Sequence, residues 1–213
     1  MSEFRFYSKL DLTTIVGRKA KNARQLLECL REVPDSSIYY HTHKFLQQYH
    51  YLTPQPPNDF AQWVFNSLND DVLGEMLSSI DVVQFDTIGA VREQLVEVVE
   101  RHIKENGNKL ECPPGEEFYL MGCQTFIFPT SYVVTTLKEF LSVLEHVSVN
   151  SLYHHMFDAK LRLGRGENDF SAWFRGLGKT ELADEVKQFD PYAHTLEGLR
   201  KRIAVLVRRH DQN

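Results

Sequence analysis

Two histidines recur in the same local setting, and their neighbours make them candidates for chemistry. His41 closes the segment SSIYYH and His155 the segment NSLYHH, and each is followed by an NDF segment whose aspartate is Asp59 or Asp169. A histidine within reach of a carboxylate can act as a general acid and base. On that reading His41, Asp59, His155 and Asp169 are the candidate catalytic residues of an enzyme acting on a small polar or phosphorylated substrate. The competing reading is structural. Ile38, His41, Thr42 and Phe45 fall at i, i+3, i+4 and i+7 of a helix, as do Leu152, His155, Met156 and Ala159, so both imidazoles face the core. A buried imidazole needs partners, because an unmade hydrogen bond costs about 1 to 3 kcal/mol. Each histidine would then tie two helices together through the aspartate that starts the next helix.

Metal ligation fails on spacing. His41 and His43 point to nearly opposite faces of a helix, His43 and His50 lie roughly 10 Å apart along it, and the adjacent His154 and His155 diverge by about 100°. No HExxH motif is present, so neither a metal nor a cofactor is implied. The loop LRLGRGE (161 to 167) places Arg162 and Arg165 among glycines, where they could cradle a phosphate or carboxylate, with Trp173 on the next helix as a stacking partner. These three are the candidate ligand-binding residues. The plainer alternative is a tight turn with solvated arginines and a tryptophan anchored in the core. Cys29, Cys112 and Cys123 form no CxxC pair and suggest neither a disulfide framework nor a zinc knuckle.

The elements that must position these residues occur twice. Phe4 to His41 matches Phe118 to His155 at a constant offset of 114. The match resumes with NDFAQWVFNSL (58 to 68) over NDFSAWFRGLG (168 to 178), and the final segments pair Thr87 with Thr195 and His102 with His210. Each slip in offset falls at an expected loop, as a duplicated fold requires. This gives a helical repeat over residues 1–103, a linker rich in proline and glycine over 104–117, and a second helical repeat over 118–213. FRFYS (4 to 8) and EFYLMGCQTFIF (117 to 128) read as short strands able to pair across a pseudo-twofold axis. Helices are expected from about 18 to 33 and from Asp35 or Ser36 to about Tyr49. Further helices should start at Asn58 or Asp59, near 70, and after the cap Thr87. The expected fold class is mainly α, with two tandem helical units packed as a pseudo-twofold dimer.

Composition sets the outer limits. The 213 residues are 42% hydrophobic and 25% charged with a net charge of −5, which excludes disorder and a strongly basic nucleic-acid binder. Residues 1–107 carry 11 basic and 15 acidic side chains and residues 108–213 carry 13 and 14, so neither half presents a strong basic face. No window suits a membrane span, and MSEFRFYSKLDL has neither a basic n-region nor an apolar h-region, so a cytoplasmic protein is expected.

At SLYHH, LRLGRGENDFSAW and DPYAHTLEGLR, that is Ser151 to His155, Leu161 to Trp173 and Asp190 to Arg200, the chain resembles a family of uncharacterised prokaryotic proteins classed as a domain of unknown function. The resemblance covers essentially the whole chain and implies a soluble helical protein. It brings no established activity, substrate or catalytic residue. The leading expectation is a non-catalytic binding or interaction module built by internal duplication. Its partner would be a protein or a small ligand, with no nucleic acid and no membrane, and the chain could form a homo-oligomer. Two features separate the readings: an enzyme needs a histidine in an open pocket with its aspartate within hydrogen-bond reach and room for a ligand, whereas a scaffold subunit needs an exposed apolar patch of several hundred Å².

Overall fold

A computed structural model describes residues 3–44, 57–159, 161, 167–189 and 195–211. Strand β1 (Phe4–Ala20) leads into α1 (Ala23–Glu32) and α2 (Asp35–Tyr39), and α2 runs on into a π-helical turn at Tyr40–Lys44. Then come α3 (Asp59–Trp63), which continues as a π-helical turn at Val64–Leu68, α4 (Asp71–Ser78) and α5 (Ile88–Asn106). The second half repeats the series: β2 (Phe118–Val134), α6 (Leu137–Leu144), α7 (Val149–Tyr153) with a π-helical turn at His154–Asp158, α8 (Asp169–Gly176), α9 (Thr180–Lys187) and α10 (Leu196–Asp211). Among the described residues, no helix is long and apolar enough to cross a membrane.

The expectation of a mainly α protein made of two tandem helical repeats is overturned. β1 and β2 are each 17 residues long and form a two-stranded sheet, so the fold is a mixed α/β one and the recurring unit is a strand followed by helices. The pairing is antiparallel: the Thr130 hydroxyl donates to the Phe6 carbonyl at 2.9 Å, the Thr125 hydroxyl to Asp11 at 2.5 Å, and Lys19 pairs with Glu117 at 3.2 Å. Sequence undercounts these strands for a physical reason. Burial alternates only at Phe4, Phe6 and Ser8 in β1 and at Phe118, Leu120 and Gly122 in β2. Beyond those residues both faces are largely exposed, and the period-two signal of a half-buried strand fades although the backbone stays extended.

The chain forms two compact units. One, the His41 unit, comprises residues 12–44 and 57–124 among those described, and the other, the His155 unit, comprises 3–11 and those from 125 onward. Each holds two half-strands. In the His41 unit the inner half-strand is 118–124 of β2 and the outer one is 12–20 of β1. In the His155 unit the inner half-strand is 4–11 of β1 and the outer one begins at Thr125. Each set of helices therefore covers a half-strand belonging to the other sequence copy.

Local sequence accounts for the helix starts. The Asn22 side chain accepts the Gln25 amide and starts α1 at Ala23, later than the expected residue 18 because Lys19 and Ala20 still belong to β1. Asn58, Asp70 and Thr87 cap α3, α4 and α5 in the same way. Thr136 and Glu139 form a capping box on α6. The core of the His41 unit gathers Leu26, Leu30, Ile38, Phe60, Leu73 and Leu95, and that of the His155 unit gathers Phe6, Phe140, Leu152, Phe170, Leu182 and Ile203, all with no exposed surface. Gly74 lets α4 press on the preceding turn, since a Cβ there would stand 2.6 Å from the Phe65 ring.

Candidate functional site

His41 lies on the π-helical turn after α2, and Asp59 opens α3 beside it. The Nδ1 of His41 is 2.7 Å from Oδ2 of Asp59, and its Nε2 accepts the backbone N–H of Met121, at 2.9 Å. Four residues earlier on the same helical face, the Ser37 hydroxyl donates to the carbonyl of that same Met121, at 2.7 Å. Ser37 and His41 thus grip both backbone polar groups of one residue on the inner half-strand. The His155 unit repeats the arrangement. Tyr7 N–H donates to His155 Nε2 at 2.8 Å, Ser151 Oγ donates to the Tyr7 carbonyl at 2.6 Å, and His155 Nδ1 is 2.7 Å from Asp169.

These bonds fix the protonation of the rings. A backbone amide only donates, so Nε2 is the acceptor and the ring proton sits on Nδ1, shared with the aspartate. Both histidines are 2% exposed and flanked by aromatic rings, Phe60 and Phe118 around His41 and Phe4 and Phe170 around His155. An imidazole bonded this way has no nitrogen turned toward a substrate.

The NDF segments supply the rest of the clamp. Asn58 accepts the Ala61 amide at 2.9 Å and donates to the Leu77 carbonyl at 3.1 Å; Asn168 accepts from Ser171 at 2.8 Å and donates to Val186 at 3.4 Å. Each asparagine caps one helix while tying down the end of the next, and so holds the neighbouring aspartate against its histidine. Trp63 donates its indole N–H to the Glu116 carbonyl at 2.8 Å. Trp173 is buried and stacks on Phe140 with ring centroids 5.5 Å apart. The other two candidate ligand-binding residues, Arg162 and Arg165, lie outside the described residues.

Among the described residues, a metal is geometrically conceivable only at His154, His155 and Asp169, whose ligand atoms lie within 4.8 Å of one another. The two adjacent rings lie with their centroids 5.0 Å apart. Binding an ion there would require His155 to give up either Asp169 or the Tyr7 amide. In the His41 unit Tyr40 stands where His154 does, and the His–Asp bond is the same length.

Sequence reasoning missed one cluster. In the His155 unit the buried Lys9 ammonium pairs with Asp158 at 2.7 Å and Asp11 at 3.2 Å and sits over the Tyr153 ring. At the offset of 114, Cys123 stands for Lys9, Thr125 for Asp11 and Lys44 for Asp158. In the His41 unit the Lys44 ammonium donates to the Thr13 hydroxyl at 3.2 Å and lies over Tyr40. The exchange of Asp158 for Lys44 between aligned copies was the available signal. Cys29, Cys112 and Cys123 are all buried and in no disulfide, and burial pushes the Cys29 and Cys112 thiols above their ordinary value.

The chain belongs to a family of unknown function, DUF5752, whose model matches residues 1–208. Among solved structures it is similar to OrfY from Thermoproteus tenax, at 30% identity and a TM-score of 0.83, over 100% of this chain and 97% of that one. No curated protein matches it.

Proposed function

We propose that the protein is a non-catalytic interaction module whose partner is a protein and which acts in the cytoplasm. The observation that carries this reading is the outer half-strand of the His155 unit. It starts in the run QTFIFPTSYVV (124 to 134), which has no charged residue, and Phe126, Ile127 and Phe128 in succession are 45%, 52% and 46% exposed. An exposed, uncharged and apolar strand edge is a template for another chain, and natural proteins usually blunt such edges with charge. The committed ring nitrogens of His41 and His155 argue against the His/Asp enzyme. Three buried cysteines in no disulfide suit a reducing compartment. The copies 1–103 and 118–213, joined by 104–117, are on this reading products of an internal duplication, supported by the recurrence of the same Ser, His, Asp and Asn bonds in both units.

The test is sedimentation of the tagged chain in extract of its own cells. The natural chain is expected in a species heavier than its 24.8 kDa, and the Ile127→Lys variant as the free chain with an unchanged unfolding temperature. A natural chain that sediments alone would overturn the proposal.

A further inference from the structure

The same cleft occurs in both units, and its two versions differ in charge. In the His155 unit it has a volume of about 510 Å³ and lies between Gln188 and Phe189, at the end of α9, and Lys201, Arg202, Val205 and Leu206 on α10. In the His41 unit a cleft of about 560 Å³ lies between Ser79 and Ile80, at the end of α4, and Gln94 and Val98 on α5. Shared bonds fix the correspondence. The carbonyls of Leu77 in α4 and Val186 in α9 accept the side-chain amides of Asn58 and Asn168, and Arg92 and Arg200 donate to the carbonyls of Leu30 and Leu144. A concavity built twice by the same elements belongs to the fold, so its lining is what distinguishes the two.

At the offset of 108 that pairs Thr87 with Thr195, Glu93, Gln94 and Glu97 of α5 stand where α10 has Lys201, Arg202 and Val205. Two glutamates give this stretch a charge of −2 in the His41 unit, and one lysine with one arginine give it +2 in the His155 unit. Three other cations of α10 are engaged: Arg200 with Glu197, Arg208 with Glu145 and Arg209 with Glu185. Glu185, the acid on the cleft wall, also holds His210. Among the described residues, Lys201 and Arg202 form no ion pair. The Arg202 guanidinium lies over the Phe189 ring, 5.7 Å from its centroid, a stacking that keeps its in-plane N–H donors.

We propose that the cleft of the His155 unit binds a small phosphate monoester with an apolar organic part. Such an ester carries about −1.5 to −2 at neutral pH and matches the two unpaired cations, whereas a monocarboxylate supplies half that charge. Arg202 offers a planar fork that fits phosphate oxygens, Lys201 a mobile point charge, and Gln188 an amide donor. Val205, 61% exposed, and Leu206 form an apolar wall for the organic part. The volume falls within the roughly 300–1,000 Å³ of small-ligand sites. The His41 cleft does not suit the same anion: its Arg101 pairs with Glu97 at 3.9 Å, and Asp81 shares its lining.

The experiment is isothermal titration calorimetry of the purified full chain, in low-salt phosphate-free buffer, with phenyl phosphate, inorganic phosphate and benzoate as probes. Phenyl phosphate is expected to bind at one site per chain, and the other two probes to bind more weakly by about tenfold or more. The double variant Lys201→Glu, Arg202→Gln carries the residues of the other cleft and should bind phenyl phosphate about tenfold or more weakly, with an unchanged unfolding temperature without ligand. Glu93→Gln, at the other cleft, should keep the natural affinity. Should the double variant not fold, Val205→Glu, which installs the carboxylate that α5 has there, decides by the same loss. No binding at millimolar phenyl phosphate, equal binding of benzoate or inorganic phosphate, full affinity in the cleft variants, or a loss in Glu93→Gln each overturn the proposal.

Discussion

At the scale of single residues, Ser37 with His41 and Ser151 with His155 do for a strand edge what a third strand would otherwise do. Each pair satisfies one strand residue's N–H and C=O, and the aspartate keeps the imidazole in the tautomer that can accept. Replacing His155 by Ala leaves the Tyr7 amide and Asp169 without that ring, and the expected loss is about 1–3 kcal/mol in urea unfolding. An unchanged unfolding midpoint would remove the structural role. Lys9 makes a sharper case because its charge is fully buried. Lys9→Met should cost about 3 kcal/mol or more by removing the buried cation that faces Asp158 and Asp11, and adding Asp158→Leu should recover part of that. Glu139 supplies a pH test. The backbone amide of Thr135 above all, then its hydroxyl and the Thr136 cap, hold this carboxyl below its ordinary 4.5. Its contribution is therefore present above about pH 4.5 and lost as pH falls through the lower folded value. Glu139→Gln should unfold more easily than the natural chain at neutral pH, with the two converging in acid.

At the scale of elements, helix starts were the legible part, because a cap is a local device. Asn58 and Thr87 mark α3 and α5 through bonds to amides three residues on. The strands were legible only where one face is buried. Phe4 and Phe6 alternate with exposed neighbours, whereas Leu12, Ile15, Phe126 and Ile127 are held extended by a distant partner strand and show no pattern of their own. The repeated SxYxH spacing revealed a shared helical face. It could not reveal that the face grips a strand, because Met121 and Tyr7 are 80 and 148 residues away from the histidines that hold them. The π-helical turns had no signal at all. One packing constraint here is directly testable. Gly74→Ala puts a methyl 2.6 Å from the Phe65 ring and should destabilise the chain by about 1–3 kcal/mol, and Phe65→Leu in the same chain should restore part of it.

At the scale of the whole molecule, the exchange of half-strands means that neither sequence copy contains a complete unit. The His155 unit needs residues 3–11, and the His41 unit needs residues up to 124. Expressed separately, chains covering 1–108 and 109–213 should each lack fixed tertiary structure, and on mixing they should regain the natural near-ultraviolet circular dichroism. Two independently folded fragments would show that the inner half-strands are dispensable. The same arrangement has a cost during synthesis. Phe4 and Phe6 leave the ribosome well before Phe140 and Phe170, which cover them. At about 5–20 residues per second, the N-terminal strand waits roughly 8 to 30 seconds for its helices, bare and apolar. The nascent chain therefore needs a holding chaperone on β1 until those helices emerge, a demand that the finished fold conceals.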